Sequence, residues 1–104
     1  MSDLLARIKR AVLSGQFVFS QKARTEMLAD AITELDVVES IANAVAIYKT
    51  LRSNRVNPDG TRQYIHVIQS CNLAGLVIYT KGRLVREGDQ ETYYFLISAK
   101  RALR

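Results

Sequence analysis

The sequence predicts an α+β fold: two or three N-terminal helices packed on a four- to five-stranded, mainly antiparallel sheet. Three observations predict it. Apolar residues recur at helical spacing up to Ala44 and at a period of two from Val45 onward. Start and stop signals for helices crowd the first half, while the second half is punctuated by Asn57-Pro58-Asp59-Gly60 and Glu87-Gly88-Asp89-Gln90, two turn sequences. Helices first and strands afterwards is the order of an α+β chain.

The elements follow in order. Ser2 is placed to cap a first helix, with Asp3 in its first turn. Leu5, Ile8 and Val12 form its apolar stripe, and Gly15 supplies a left-handed stop. Gln16 to Phe19 reads as a brief strand or a buried connection. Ser20 caps a second helix with Ala23, Met27 and Leu28 on its apolar face, ending near Ala31. Thr33 followed by Asp36 gives a third start, close to a capping box, with Leu35, Val38, Ile41 and Ala42 facing inward. Val45 to Leu51 reads as a strand. Arg62 to Gln69 alternates as a second, with Ile65 and Val67 opposite Tyr64, His66 and Ile68. Ser70 to Asn72 connects to a third strand, Leu73 to Thr80, apolar enough to be central. Lys81-Gly82 reads either as a two-residue hairpin turn or as a bulge within one longer strand that resumes at Leu84 and Val85. Thr92 to Ser98 is the last strand, followed by a basic tail.

The totals bound the function. A chain of 104 residues is expected to form one domain, residues 1–104, around a single core. One cysteine, Cys71, excludes an internal disulfide and a cysteine-based zinc cluster, and one histidine, His66, excludes a multi-histidine metal site. No metal or cofactor is expected. No apolar run is long enough for a membrane span, and the first residues do not read as a secretory signal, so the expected compartment is the cytoplasm.

Charge is unevenly spread. Residues 22–44 carry two cations against five anions, whereas residues 45–104 carry ten against four, within a net charge of +5. The cations of the second half are interleaved with tyrosines and aliphatic residues, as in Tyr79-Thr80-Lys81-Gly82-Arg83 and Tyr93 to Arg101. A sheet displaying cations and aromatics suits phosphates, and RNA is the expected partner. Tyr79, Lys81 and Arg83 alternate onto one side if no turn intervenes, and Tyr94, Leu96, Ser98 and Lys100 are expected to share a side of the last strand. Pairing of these strands would let Tyr79, Lys81, Ser98 and Lys100 converge. Arg52, Arg55 and Arg62 flank the Pro-Gly turn as further candidate phosphate contacts. His66 is read as either a core histidine or the group that moves a proton, since it is the one imidazole.

The stretch Phe17 to Met27, followed by Ala31-Ile32-Thr33-Glu34-Leu35-Asp36-Val37, resembles the N-terminal half of domain-of-unknown-function family 4258. Ser20, Ala23, Met27, Ile32, Asp36 and Val37 match its pattern. Lys22 stands where that family usually has histidine, Glu26 where it has arginine, and Ala31 where it has glycine. The order of elements is similar to that of the RelE and MqsR toxins, small ribonucleases of the barnase and RelE-like fold. The resemblance implies a metal-independent endoribonuclease toxin of a toxin–antitoxin system, covered by a cognate antitoxin. On that reading the catalytic candidates are Lys22, Tyr79, Lys81, Lys100 and His66. RNA contacts would come from Arg24, Arg52, Arg55, Arg62, Arg83, Ser98 and Arg101. Two other readings of the same surface stand beside it: a non-catalytic module that binds nucleic acid or an acidic protein, and a homodimer formed through aromatic strand edges.

Overall fold

The structure, a computed structural model, describes residues 3–88 and 90–102, apart from the side chain of Thr92. Ser2, expected as the first cap, Asp89, expected in the last turn, and the end of the basic tail lie outside the described residues. The chain is α+β. Three helices, α1 (Asp3–Leu13), α2 (Gln21–Ala29) and α3 (Glu34–Asn43), surround a short strand β1 (Phe17–Phe19) in sequence. Four strands follow: β2 (Lys49–Val56), β3 (Arg62–Cys71), β4 (Val77–Glu87) and β5 (Gln90–Arg101). The sheet order is β1-β5-β4-β3-β2, with β1 parallel to β5 and every other pair antiparallel.

All three helices lie on one face. α1 packs on α3 and β5, α2 on β5 and β1, and α3 on β3 and β4. Leu5, Ile8 and Val12 of α1 meet Ala23, Met27, Val37 and Ile41 of the other helices over Ile68, Ile78, Tyr94, Leu96 and Ala99 of the sheet. Each fully buried aliphatic side chain contributes about 1.5–3 kcal/mol, so this interface is the main stabilising term. α1 ends as expected: Gly15 is left-handed at φ 80°, and Gln16 N–H donates to Ala11 O across the stop. The Thr33–Asp36 capping box forms with both reciprocal hydrogen bonds. Those bonds, led by the Thr33 backbone N–H and joined by the Asn72 side chain, hold the Asp36 carboxyl below its ordinary pKa.

Several expectations are corrected. Leu28 is 84 % exposed and Leu35 64 % exposed, because α2 and α3 turn Ala23 and Met27, and Val37, Ser40 and Ile41, to the core instead. Val45 is exposed ahead of β2, which begins only at Lys49 and runs to Val56. β4 begins at Val77, not Leu73. Asn72 closes a turn there, accepting the Leu76 N–H and donating to Asp36. β4 is the central strand, as its apolar composition predicted, and it passes through Lys81-Gly82 without turning. Gly82 marks a bulge against β5.

α2 ends with the same bond pattern as α1. Ile32 N–H donates to Met27 O and Ala31 N–H to Leu28 O, a Schellman stop, but the left-handed residue is Ala31 at φ 55°. A Cβ is disfavoured in this region. Ala31→Gly is expected to raise stability by about 1 kcal/mol, read as a higher urea midpoint at unchanged m-value. An unchanged or lower midpoint would contradict this account of the stop.

The outer edge of β5 beyond β1 is satisfied by α2. Ser20 N–H donates to Leu96 O, its hydroxyl donates to Ile97 O, and the Glu26 and Asp30 carboxylates accept the N–H groups of Ala99 and Arg101. Glu26 also accepts the Ser98 hydroxyl at 2.6 Å. Such side-chain capping closes an edge that would otherwise invite strand pairing. Glu26→Ala is expected to cost about 1.5–3 kcal/mol, since it leaves two donors without their charged acceptor. Glu26→Gln, which keeps an acceptor oxygen, is expected to lose less. Equal urea midpoints for wild type and Glu26→Ala would refute this role.

Candidate nucleic-acid interface

Cross-strand partners share a face of a sheet, and successive residues alternate. Ile68, Ile78, Tyr94 and Leu96 lie beneath the helices. The alternate residues therefore face away from them. On β4 these are Tyr79, Lys81 and Arg83. Tyr79 pairs with Lys100, Lys81 with Ser98 and Arg83 with Phe95 of β5. On β3 they include Ile65 and Val67, and Val67 pairs with Lys49 on one side and Lys81 on the other. One transverse row thus reads Lys49, Val67, Lys81, Ser98.

The bulge between Lys81 and Gly82 places Ile97 as an extra residue and shifts the alternation of β5. Tyr94 and Leu96 face the core, while Lys100 joins Tyr79 on the open face. The expected common side for Tyr94, Leu96, Ser98 and Lys100 is corrected on that account. Tyr79, Lys81, Lys100 and Arg83 converge. The Lys100 ammonium stands 5.5 Å from the Tyr79 ring centroid, and the Arg83 guanidinium 5.5 Å from that of Phe95. Both are cation–π distances, which fix long side chains that would otherwise sample many rotamers. Lys81 stands one row from each, roughly 7 Å along β4. Beside them a groove of about 310 Å³ is lined by Ser53, Arg55, Gln63, Ile65, Arg83 and Phe95, with Ile97.

The face is one-signed. Among the described residues, the strand carboxylates are Glu87 and Glu91, both at the β4–β5 hairpin end. Glu91 is turned to Arg7 of α1 at 3.3 Å. Lys49, Arg55, Lys81, Arg83 and Lys100 thus share a surface with Tyr79 and Phe95, a pattern suited to a phosphodiester chain with bases resting on rings.

The other predicted residues lie elsewhere. Ser98 sits in the Lys81 row, but its hydroxyl is donated to Glu26. Lys22 is exposed on α2 in the helix layer. Arg24 lies over the Phe19 ring and 3.9 Å from Glu34. Arg52 pairs with Tyr64, and Arg62 and His66 alternate with it on the helix side of the sheet. Arg101 is opposite Ile78, a core residue, at the exposed end of β5. Sequence reading missed Lys49, and it missed Glu26 as the acceptor for the sheet edge. The alternation of β2 and β3 carried the signal for Lys49, but it emerges only once the strand start is shifted to that residue.

His66 is 6 % exposed, with its Nδ1 3.2 Å from the Thr50 hydroxyl oxygen. Burial, and secondarily the Arg7 charge, hold its imidazole below the ordinary 6.5. The unfolded chain therefore takes up the proton first, and stability falls as the pH drops below that value until the folded state also titrates. His66→Gln is expected to flatten this dependence when urea midpoints are compared at about pH 7.5 and about pH 5.5. An unaltered pH profile in the variant would contradict it. Among the described residues no three His, Cys, Asp or Glu side chains gather as metal ligands, and no helix is long and apolar enough to cross a membrane. Comparison with protein-family models, with curated proteins and with solved structures gave no match.

Proposed function

We propose that this chain binds single-stranded RNA on its open sheet face and cleaves it there without a metal, as a cytoplasmic ribonuclease toxin of the RelE–MqsR type. The observation that carries the reading is the gathering of Tyr79, Lys81, Arg83 and Lys100 on one face from which the strand carboxylates are displaced. Internal cleavage of RNA needs a base for the 2′-hydroxyl, an acid for the departing 5′-oxygen, and cations around the crowded phosphorane. In this proposal Arg83 and Lys100 neutralise the phosphorane, the Tyr79 phenol oxygen takes the proton of the 2′-hydroxyl, and the Lys81 ammonium gives a proton to the departing 5′-oxygen. A cognate antitoxin would present acidic residues to the same cations.

A second reading is a module that holds RNA without cutting it. It is favoured by His66 lying on the opposite side of the sheet and by the Ser98 hydroxyl being bound to Glu26. One experiment separates the two. The purified chain is incubated with single-stranded RNA in excess chelator, and the products are examined for 2′,3′-cyclic phosphate ends. Such ends, lost in Lys81→Ala and Lys100→Ala, support the ribonuclease. Salt-sensitive binding with intact RNA supports the module. Absence of both binding and cleavage overturns the assignment of this face to RNA.

A further inference from the structure

On the opposite side of the sheet, a cleft of about 960 Å³ opens between the start of α1 and the β2–β3 hairpin. We infer that this cleft is a binding site for a phosphorylated nucleoside, with Arg62 on the phosphate, Tyr64 beneath the base, and His66 with Thr50 at the inner end.

The β3 register creates the arrangement. Arg62, Tyr64 and His66 recur at every second residue on the helix side of the sheet, so a guanidinium, a phenol ring and an imidazole follow one another at roughly 7 Å intervals. That sequence of groups matches the phosphate, base and hydrogen-bonding edge of a nucleotide. Tyr64 is 47 % exposed in a position where its ring offers a stacking face. Leu4, Pro58 and Leu84 line the cleft as apolar surface. The inner end is polar but neutral near pH 7, since the His66 imidazole is held below its ordinary value and meets the Thr50 hydroxyl.

The charge balance favours an anion. Among the described residues, Arg7, Arg62 and Arg86 line the cleft from the helix side, with the carboxylates Asp59 and Glu91, while Arg83 reaches its rim from the open face, where its guanidinium lies over Phe95. Glu91 is engaged by Arg7. Asp59 accepts the Thr61 hydroxyl and N–H, which with Arg86 keep its carboxyl below the usual pKa. Arg62, exposed on β3, is thus the guanidinium placed to meet an anion, and guanidinium binds phosphate through paired donors. The outer wall is built before any ligand arrives. Asn57 N–H donates to Thr61 O at 2.7 Å, Gly60 N–H to Asn57 O at 2.9 Å, and the Asn57 amide to the Thr61 hydroxyl at 2.9 Å. The volume lies within the roughly 300–1,000 Å³ of small-molecule sites.

The cleft meets the open face at Gln63 and Arg83, but its proposed ligand contacts, Arg62, Tyr64, His66 and Thr50, lie on the helix side of the sheet, so either assignment can fail alone. The test uses the full ¹⁵N-labelled chain titrated with AMP, GMP, adenosine and inorganic phosphate. AMP or GMP is expected to shift the amides of Arg62, Tyr64 and His66, with adenosine and phosphate each binding at least tenfold more weakly. Arg62→Gln and Tyr64→Ala, both at exposed positions, are each expected to weaken AMP binding at least tenfold with an unchanged melting temperature. Lys81→Ala/Lys100→Ala is expected to leave it intact. A pentaribonucleotide with a 5′-phosphate, compared with its 5′-hydroxyl form, identifies the source. Cleft shifts that require the 5′-phosphate assign the site to an RNA end, and shifts with mononucleotides alone assign it to free nucleotide. No shifts at millimolar nucleotide would overturn the inference. So would shifts confined to the open face, undiminished binding in both variants, or equal displacement by an oligoglutamate peptide.

Discussion

Gly82→Val is expected to lower the melting temperature of this chain by about 5 °C or more. A Cβ at this position would stand 2.7 Å from two ring atoms of Tyr94 and 2.8 Å from the Phe95 carbonyl oxygen. The first contact is with a side chain that is wholly buried, and the second is with backbone, so neither can give way cheaply. Relief requires β4 and β5 to separate at their bulge, in the middle of the longest strand pair. Overpacking of this kind costs about 1–3 kcal/mol or more. In a domain of this size each kcal/mol moves the melting temperature by about 4–8 °C. Gly82→Ala is expected to fall between wild type and valine. A wild-type melting curve for Gly82→Val would show that the Tyr94 ring does not lie over this glycine.

Lys81→Ala/Lys100→Ala is expected to weaken single-stranded RNA binding by about tenfold or more in low salt, and to abolish any cleavage. The affinity of such a surface comes largely from counterions released when lysine and arginine meet phosphates. Engagement of all five open-face cations predicts a slope of log affinity against log salt near −3.5, at about 0.7 per phosphate contact on single strands. Removal of two lysines should bring that slope to about −2. The affinity of the wild type is expected to fall about 100-fold between 50 mM and 200 mM salt, and that of the variant about 20-fold. Both lysines are only partly buried, so the fold should survive the exchange. An unchanged slope would mean that these two cations touch no phosphate.

Much of the fold was legible because its determinants are local. Gly15, Ser20 and the Thr33–Asp36 pair each mark a helix end by chemistry within a few residues, and each forms as the sequence indicates. The Asn57–Gly60 turn likewise closes with its own side chains. What was not legible depended on register between distant segments. The Lys81-Gly82 pair reads as a turn or a bulge, and only the approach of the Tyr94 ring to Gly82 decides for the bulge. That bulge separates Lys100 from Leu96 and puts Lys100 beside Tyr79. Leu28 and Leu35 look like core residues by composition, yet the rotation of α2 and α3 on the sheet exposes them. Lys81 and Arg83 were found because alternation along β4 alone brings them together, whereas Lys100 joins them only through the bulge. His66, Arg62 and Arg52 share a different alternation and belong to the other side.

The most direct test is a map of which amides move when the ¹⁵N-labelled chain is titrated at low salt with an unstructured oligoribonucleotide lacking a 5′-phosphate. The account predicts the largest changes at Tyr79, Lys81, Arg83, Phe95 and Lys100, fading as salt is raised. Changes centred on Lys22, Arg24 and the exposed side of the helix layer, or a spectrum that RNA leaves untouched, would contradict it.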